Sequence, residues 1–129
     1  MENSQNSILE LSPLGHTWLL DLDGTIVKHN GYKIDGQDTL LEGAKVFLET
    51  IPPDDMIIFI TSRKKEYKNV TEEFLKTNQI RFNYIIFEAP YGERILINDN
   101  KPSGLQMGIA CNKKRDSSAF PSAKINPDK

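Results

Sequence analysis

Residues Thr17–Ile26 read TWLLDLDGTI, and the fold class turns on this stretch. Trp18, Leu19 and Leu20 form a short apolar run of the kind that suits a central strand of a parallel sheet, where both faces are covered. Two carboxylates, Asp21 and Asp23, then interrupt it. Side chains alternate along a strand, so Asp21 and Asp23 start on the same side, with Leu22 opposite. Carboxylates that close repel unless a cation or a shared proton relieves them. Gly24 allows a sharp exit from the strand and lets backbone N–H groups approach an anion. Taken alone, Asp-Leu-Asp-Gly reads equally well as a solvated turn. The rest of the chain decides against that.

Working outward, Met56–Ile60 (MIIFI) is a second apolar strand that ends at Thr61, Ser62 and Arg63. Tyr84–Phe87 (YIIF) is a third, and Arg94–Ile97 (RILI) is a fourth that runs into Asn98 and Asp99. A last short strand is expected near Gly108–Cys111. Between the first and second strands, Leu41, Ala44, Phe47, Leu48 and Ile51 recur at helical spacing. They predict a helix from about Asp38 to Thr50, with Asp38 as N-cap and Pro52-Pro53 as the stop. A second helix is expected from about Lys65 to Asn78, with Tyr67, Val70, Phe74 and Leu75 inward. Asn30-Gly31, between two short β-prone pieces, signals a hairpin. Strands alternating with helices give the expected fold: α/β, a three-layer Rossmann-like, mostly parallel sheet with helices on both faces. Ligands in such sheets lie beyond the carboxyl ends of the strands. Asp21, Asp23, Thr61, Ser62, Asn98 and Asp99 all fall there.

The chain of 129 residues has the size of one domain, expected as a flexible lead-in over 1–15, a catalytic domain over 16–111 and a polar tail over 112–129. Its 38% hydrophobic and 26% charged content is that of a globular protein. With 16 basic against 18 acidic side chains, the net charge of −2 argues against a dedicated nucleic-acid binder. The lone Cys111 can form no internal disulfide, which points to a reducing cytoplasm. The N-terminal segment lacks the pattern of a signal peptide, and no apolar run approaches the ~20 residues of a membrane span.

These motifs resemble those of the haloacid dehalogenase (HAD) superfamily of phosphohydrolases. LLDLDGTI (19–26) is similar to the first motif, hydrophobic residues followed by D-x-D-G-T. MIIFITS (56–62) is similar to the second, and ILIND (95–99) to the fourth. The resemblance covers about residues 17–111. It implies that Asp21 is the nucleophile, forming an aspartyl-phosphate, and that Asp23 is the general acid and then the base. It also implies a Mg²⁺ held by the Asp21 carboxylate, the Asp23 backbone carbonyl and the Asp99 carboxylate. Gly24 and the Thr61 hydroxyl would bind the phosphate. For the charge-balancing cation, Arg94 holds the corresponding place. Lys101, on the Asp99 loop, is its rival, and Lys64 is a third choice.

Three departures from the family pattern accompany the resemblance. Only the seven residues Glu88–Arg94 join the third and fourth strands, fewer than the ~10–12 of a usual parallel crossover. Either the connector is taut, or the fourth strand is offset, or a neighbouring subunit completes the sheet. Ser103 stands where a further acid is common. No cap domain is present either, since only 15 residues separate Gly24 from Leu40. An open site implies a large substrate or a lid from another subunit, and so a homo-oligomer. His29, Tyr32 and Lys33 are substrate contacts on this view, or else a solvated loop. The run GERILINDNKPSG (92–104) resembles small capless members of bacterial surface-polysaccharide pathways. The expected function is Mg²⁺-dependent hydrolysis of a small phosphomonoester such as a sugar phosphate. The alternatives are a phosphotransferase or polynucleotide phosphatase of the same superfamily, and a non-catalytic binding module.

Overall fold

A computed structural model describes residues 8–129, so the first half of the expected lead-in lies outside the described residues. The central sheet has three parallel strands in chain order: β2 (Thr17–Asp21), β3 (Met56–Ile60) and β4 (Tyr84–Ile86). Leu20 is in register with Phe59, and Phe59 with Ile85. Two helices connect these strands, α2 (Ala44–Thr50) and α3 (Lys68–Thr77), the latter entered through a 3₁₀ turn at Lys65–Tyr67. A one-turn helix, α1 (Gly31–Ile34), follows β2. The class is therefore α/β and Rossmann-like, with a parallel sheet and, among the described residues, no cap. No helix among the described residues is long and apolar enough to cross a membrane.

The core lies on one side of the sheet. Leu20, Ile57 and Phe59 project from the strands onto Phe47 and Leu48 of α2 and Leu75 of α3, all buried. Right-handed crossovers between strands in chain order place both helices on this same side. The residues one position along, Leu19, Met56, Tyr84 and Ile86, face the other way and are exposed. The expected second helical layer is not formed among the described residues.

The fourth strand departs most from expectation. Arg94–Ile97 and Gly108–Cys111 join no sheet; Ile95 and Ile97 are 84% and 91% exposed. The seven-residue connector is the physical reason. It is too short to carry a helix across the sheet, and Thr61 N–H binding the Ile86 carbonyl, with Ala89 N–H binding the Thr61 carbonyl, keeps its start beside the β3 end.

Three further expectations are corrected. Asn30 does adopt the left-handed conformation (φ 57°), but it opens α1 instead of a two-residue hairpin. The antiparallel pairing falls outside it, with Lys28 N–H binding the Thr39 carbonyl and Leu41 N–H the Ile26 carbonyl. The first long helix begins at Ala44, after Gly43 at φ 86°, and Asp38 is not its cap. Residues 112–129 pack back on the domain: Phe120 stacks on Phe47 at 5.1 Å, and β5 (Ser122–Ile125) pairs with β1 (Ile8–Leu11).

Candidate active site

The carboxyl ends of β2 and β3 bring Asp21, Asp23, Gly24 and Thr61 to one edge. At the end of β2 the chain tightens around Leu22, whose carbonyl accepts from the N–H groups of Thr25, Ile26 and Val27. Leu22 itself is buried in the core. This anchors the acid pair from below; the Asp21 carboxylate is open to solvent, whereas that of Asp23 turns to buried partners. Gly24 sits at φ 85° and its N–H is taken by the Val27 carbonyl at 2.7 Å. The N–H expected to face an anion is therefore used within the turn.

The two carboxylates have separate partners. Asp21 accepts from the Thr25 hydroxyl at 2.8 Å and from Arg94 Nη1 at 3.0 Å, in an open setting: the Asp21 side chain is 40% exposed and the Arg94 side chain 36%. Asp23 accepts from the Thr61 hydroxyl at 3.0 Å and from Arg63 through Nε and Nη2, the shortest contact being 2.9 Å. Thr61 is fully buried, as a strand-end residue serving a carboxylate must be.

Arg63 is the residue the sequence reading passed over. Its side chain is 1% exposed, yet every donor has a partner: Asp23, then both oxygens of Asp38, then the Thr71 hydroxyl at 2.8 Å. Its guanidinium lies 3.9 Å over the Tyr32 ring. Burial disfavours its charge, but the hydrogen bonds to Asp38 and Asp23 more than offset that and hold it ionised above its ordinary value. A buried arginine flanked by two acids is readable only once Asp38 is known to leave the helix terminus for the site. Beside this group, Tyr32, Tyr67, Tyr91, Lys33, Lys64 and Arg63 line a cleft of about 120 Å³. Of the substrate contacts suggested by the sequence, Tyr32 and Lys33 border that cleft, and His29 sits against the Gly24 turn.

Asp99 and Lys101 are not brought to this edge. Asp21 and Asp23 take their side-chain contacts from Thr25, Thr61, Arg63 and Arg94. Asp99 is exposed, and the Lys101 backbone belongs to a turn closed on Gly104 and Leu105. Among the described residues, no group of three or more His, Cys, Asp and Glu side chains is placed to hold a metal ion. Asp21 and the Asp23 carbonyl alone do not make the expected Mg²⁺ site.

No protein-family model matches the chain, and no curated protein matches it. Among solved structures, it is similar to a chain of a structure described as the Pnkp1/Rnl/Hen1 RNA repair complex. The TM-score is 0.50 and the identity 24%, covering 73% of this chain and 32% of that one. This chain thus spans about a third of its neighbour's length, and the likeness is one of fold. Fold and site together define a Rossmann-like α/β protein with an acid pair at the carboxyl edge of its parallel sheet.

Proposed function

We propose that the protein is a phosphomonoester hydrolase of the HAD type, with Asp21 as the phosphoryl acceptor. One observation carries this reading: of two adjacent acids, Asp21 is open and held by a displaceable surface cation, while Asp23 is locked to a buried one. In the first step an Asp21 oxygen attacks phosphorus, the bond to the leaving oxygen breaks, and that oxygen takes its proton from solvent water, because both Asp23 oxygens are occupied accepting from Thr61 and Arg63. In the second, water attacks the aspartyl-phosphate, Asp23 takes the water's proton, and inorganic phosphate leaves. Asp23 then passes that proton to solvent and is again the carboxylate held by Arg63 and Thr61. Arg94 offsets the repulsion between nucleophile and phosphate. Thr61 and Arg63 keep Asp23 aimed, and the tyrosine-lined cleft on the far side of Arg63 has room for part of a small phosphorylated metabolite.

The Mg²⁺ expected from the motif forms no part of these steps, because Asp99 does not join the pair. Phosphate release from p-nitrophenyl phosphate tests the reading. Wild type should release phosphate, and Asp21→Asn should release less than a hundredth as much. Equal rates in the two proteins would refute it.

A further inference from the structure

The basic run NKKRD (112–116) is brought across nearly the whole chain to the loop that follows the acid pair. Asp116 fixes it at two points: its N–H binds the Gly24 carbonyl at 2.8 Å, and its carboxylate accepts from His29 N–H at 2.8 Å. The Arg115 stem lies over Gly24 so closely that a Cβ there would stand 3.1 Å from its Cγ. Lys113 Nζ donates to the Ser117 carbonyl at 2.8 Å and, more weakly, to the Thr25 carbonyl at 3.4 Å. An ammonium has three donors, so one is left over. The Phe120 ring, 4.7 Å away, covers its flank. Partial burial pulls the Lys113 ammonium below its ordinary value, while Asp116 and Asp21 pull it back up. The Thr25 carbonyl that Lys113 meets belongs to the residue whose hydroxyl holds Asp21. His29 Nδ1, beside Gly24, is a buried ring nitrogen with no partner among the described residues, a polar group whose partner must come from elsewhere.

We propose that residues 113–116 form a strap over the Gly24 turn whose Lys113 ammonium, with the Arg115 guanidinium and His29 Nδ1, binds the phosphate group presented to Asp21. The proposal rests on the reading of Asp21 as phosphoryl acceptor and gives that site a second cation besides Arg94. A phosphomonoester dianion beside an ionised Asp21 carries three negative charges; Arg94 alone would leave two uncompensated, Lys113 reduces that to one, and Arg115 balances the last. Oxygen-bearing anions are the ligand class, since the spare Lys113 donor, the Arg115 stem and His29 Nδ1 all lie against the Gly24-Thr25 turn. The strap is held from behind by Phe120 on Phe47 and by the pairing of β5 with β1.

Titration with inorganic phosphate, followed calorimetrically, tests this apart from turnover. Wild type should bind saturably. Lys113→Met should weaken binding about tenfold and Arg115→Ala at least threefold, whereas Lys124→Ala on β5, an equal loss of charge, should leave it unchanged. Arg115 is exposed, so its variant keeps the test open if Lys113→Met fails to fold. Absence of saturable phosphate binding in wild type, equal losses in all three variants, or no loss in Arg115→Ala would overturn the strap. Phosphate binding that is weakened as expected in a protein that hydrolyses no phosphomonoester would support the strap and overturn the hydrolase reading instead.

Discussion

Replacing Arg63 with Met tests the organisation of the site most directly. The methionine matches the arginine stem in length but removes every donor. Asp38, 3% exposed, would lose both of its Arg63 contacts, and the half-buried Asp23 would keep only the Thr61 hydroxyl. Removing one partner of a buried pair costs about 3–5 kcal/mol, because the remaining charge is left uncompensated. At a urea slope of roughly 1.5 kcal/mol/M, in the range of small proteins, the unfolding midpoint falls by about 2–3 M. Fluorescence of Trp18, the single tryptophan, reports the transition from a position against Phe47. Asp38→Asn keeps the shape and should cost about 1–3 kcal/mol. The double variant should lose clearly less than the sum, since each change removes the other's penalty. A loss below about 1 kcal/mol in Arg63→Met, or additivity to within about 0.5 kcal/mol, would refute the reasoning.

Acid stability is expected to depend on Asp55. Burial pushes its carboxyl up, but hydrogen bonds from Trp18 Nε1, the His16 ring and His16 N–H outweigh it and hold the group below the usual carboxylate range. A depressed folded value stabilises above the unfolded value of about 3.9 and loses that contribution as pH falls through the folded value. Asp55→Asn should therefore flatten the decline in stability below about pH 4, read from unfolding midpoints across the acid range; an unchanged decline would show that these bonds do not favour the charged form. For the metal, Asp99→Asn should change Mg²⁺ affinity, measured by titration, less than about twofold, because one lost distant charge is screened by solvent and salt. A tenfold loss would show that residues 98–101 close onto Asp21.

The elements legible in the sequence were those whose signal is local. MIIFI and YII pair as apolar runs suited to a sheet, and α3 follows from Tyr67, Val70, Phe74 and Leu75 at helical spacing, although Val70 is exposed and Thr71 takes the buried place beside Leu75. Asp21, Asp23 and Thr61 were legible because the carboxyl ends of parallel strands are set by topology. What failed depended on partners remote in sequence. RILI reads as a strand by composition, but a strand also needs an edge it can reach, and seven residues do not bring it there. Asp38 reads as a helix cap until Arg63, 25 residues later, offers a stronger partner than a backbone N–H. The tail reads as a polar extension because its only large apolar side chains are Phe120 and Ile125, and Phe120 is seated on an aromatic ring that the sequence cannot place beside it.

The division of labour between the two acids follows from where their cations sit. An exposed ion pair such as Asp21–Arg94 is worth about 0–1 kcal/mol, so an arriving phosphate can take Arg94 as its own partner at almost no cost and leave the Asp21 oxygen free to attack. Pulling Asp23 from Arg63 would cost about 3–5 kcal/mol. At about 1.4 kcal/mol per factor of ten, the difference makes release of Asp23 at least about thirtyfold rarer than release of Asp21. A nucleophile must leave its resting partner in every turnover, whereas a proton carrier works best from a fixed position. On the proposed reading, the first role falls to the acid that can move and the second to the acid that cannot.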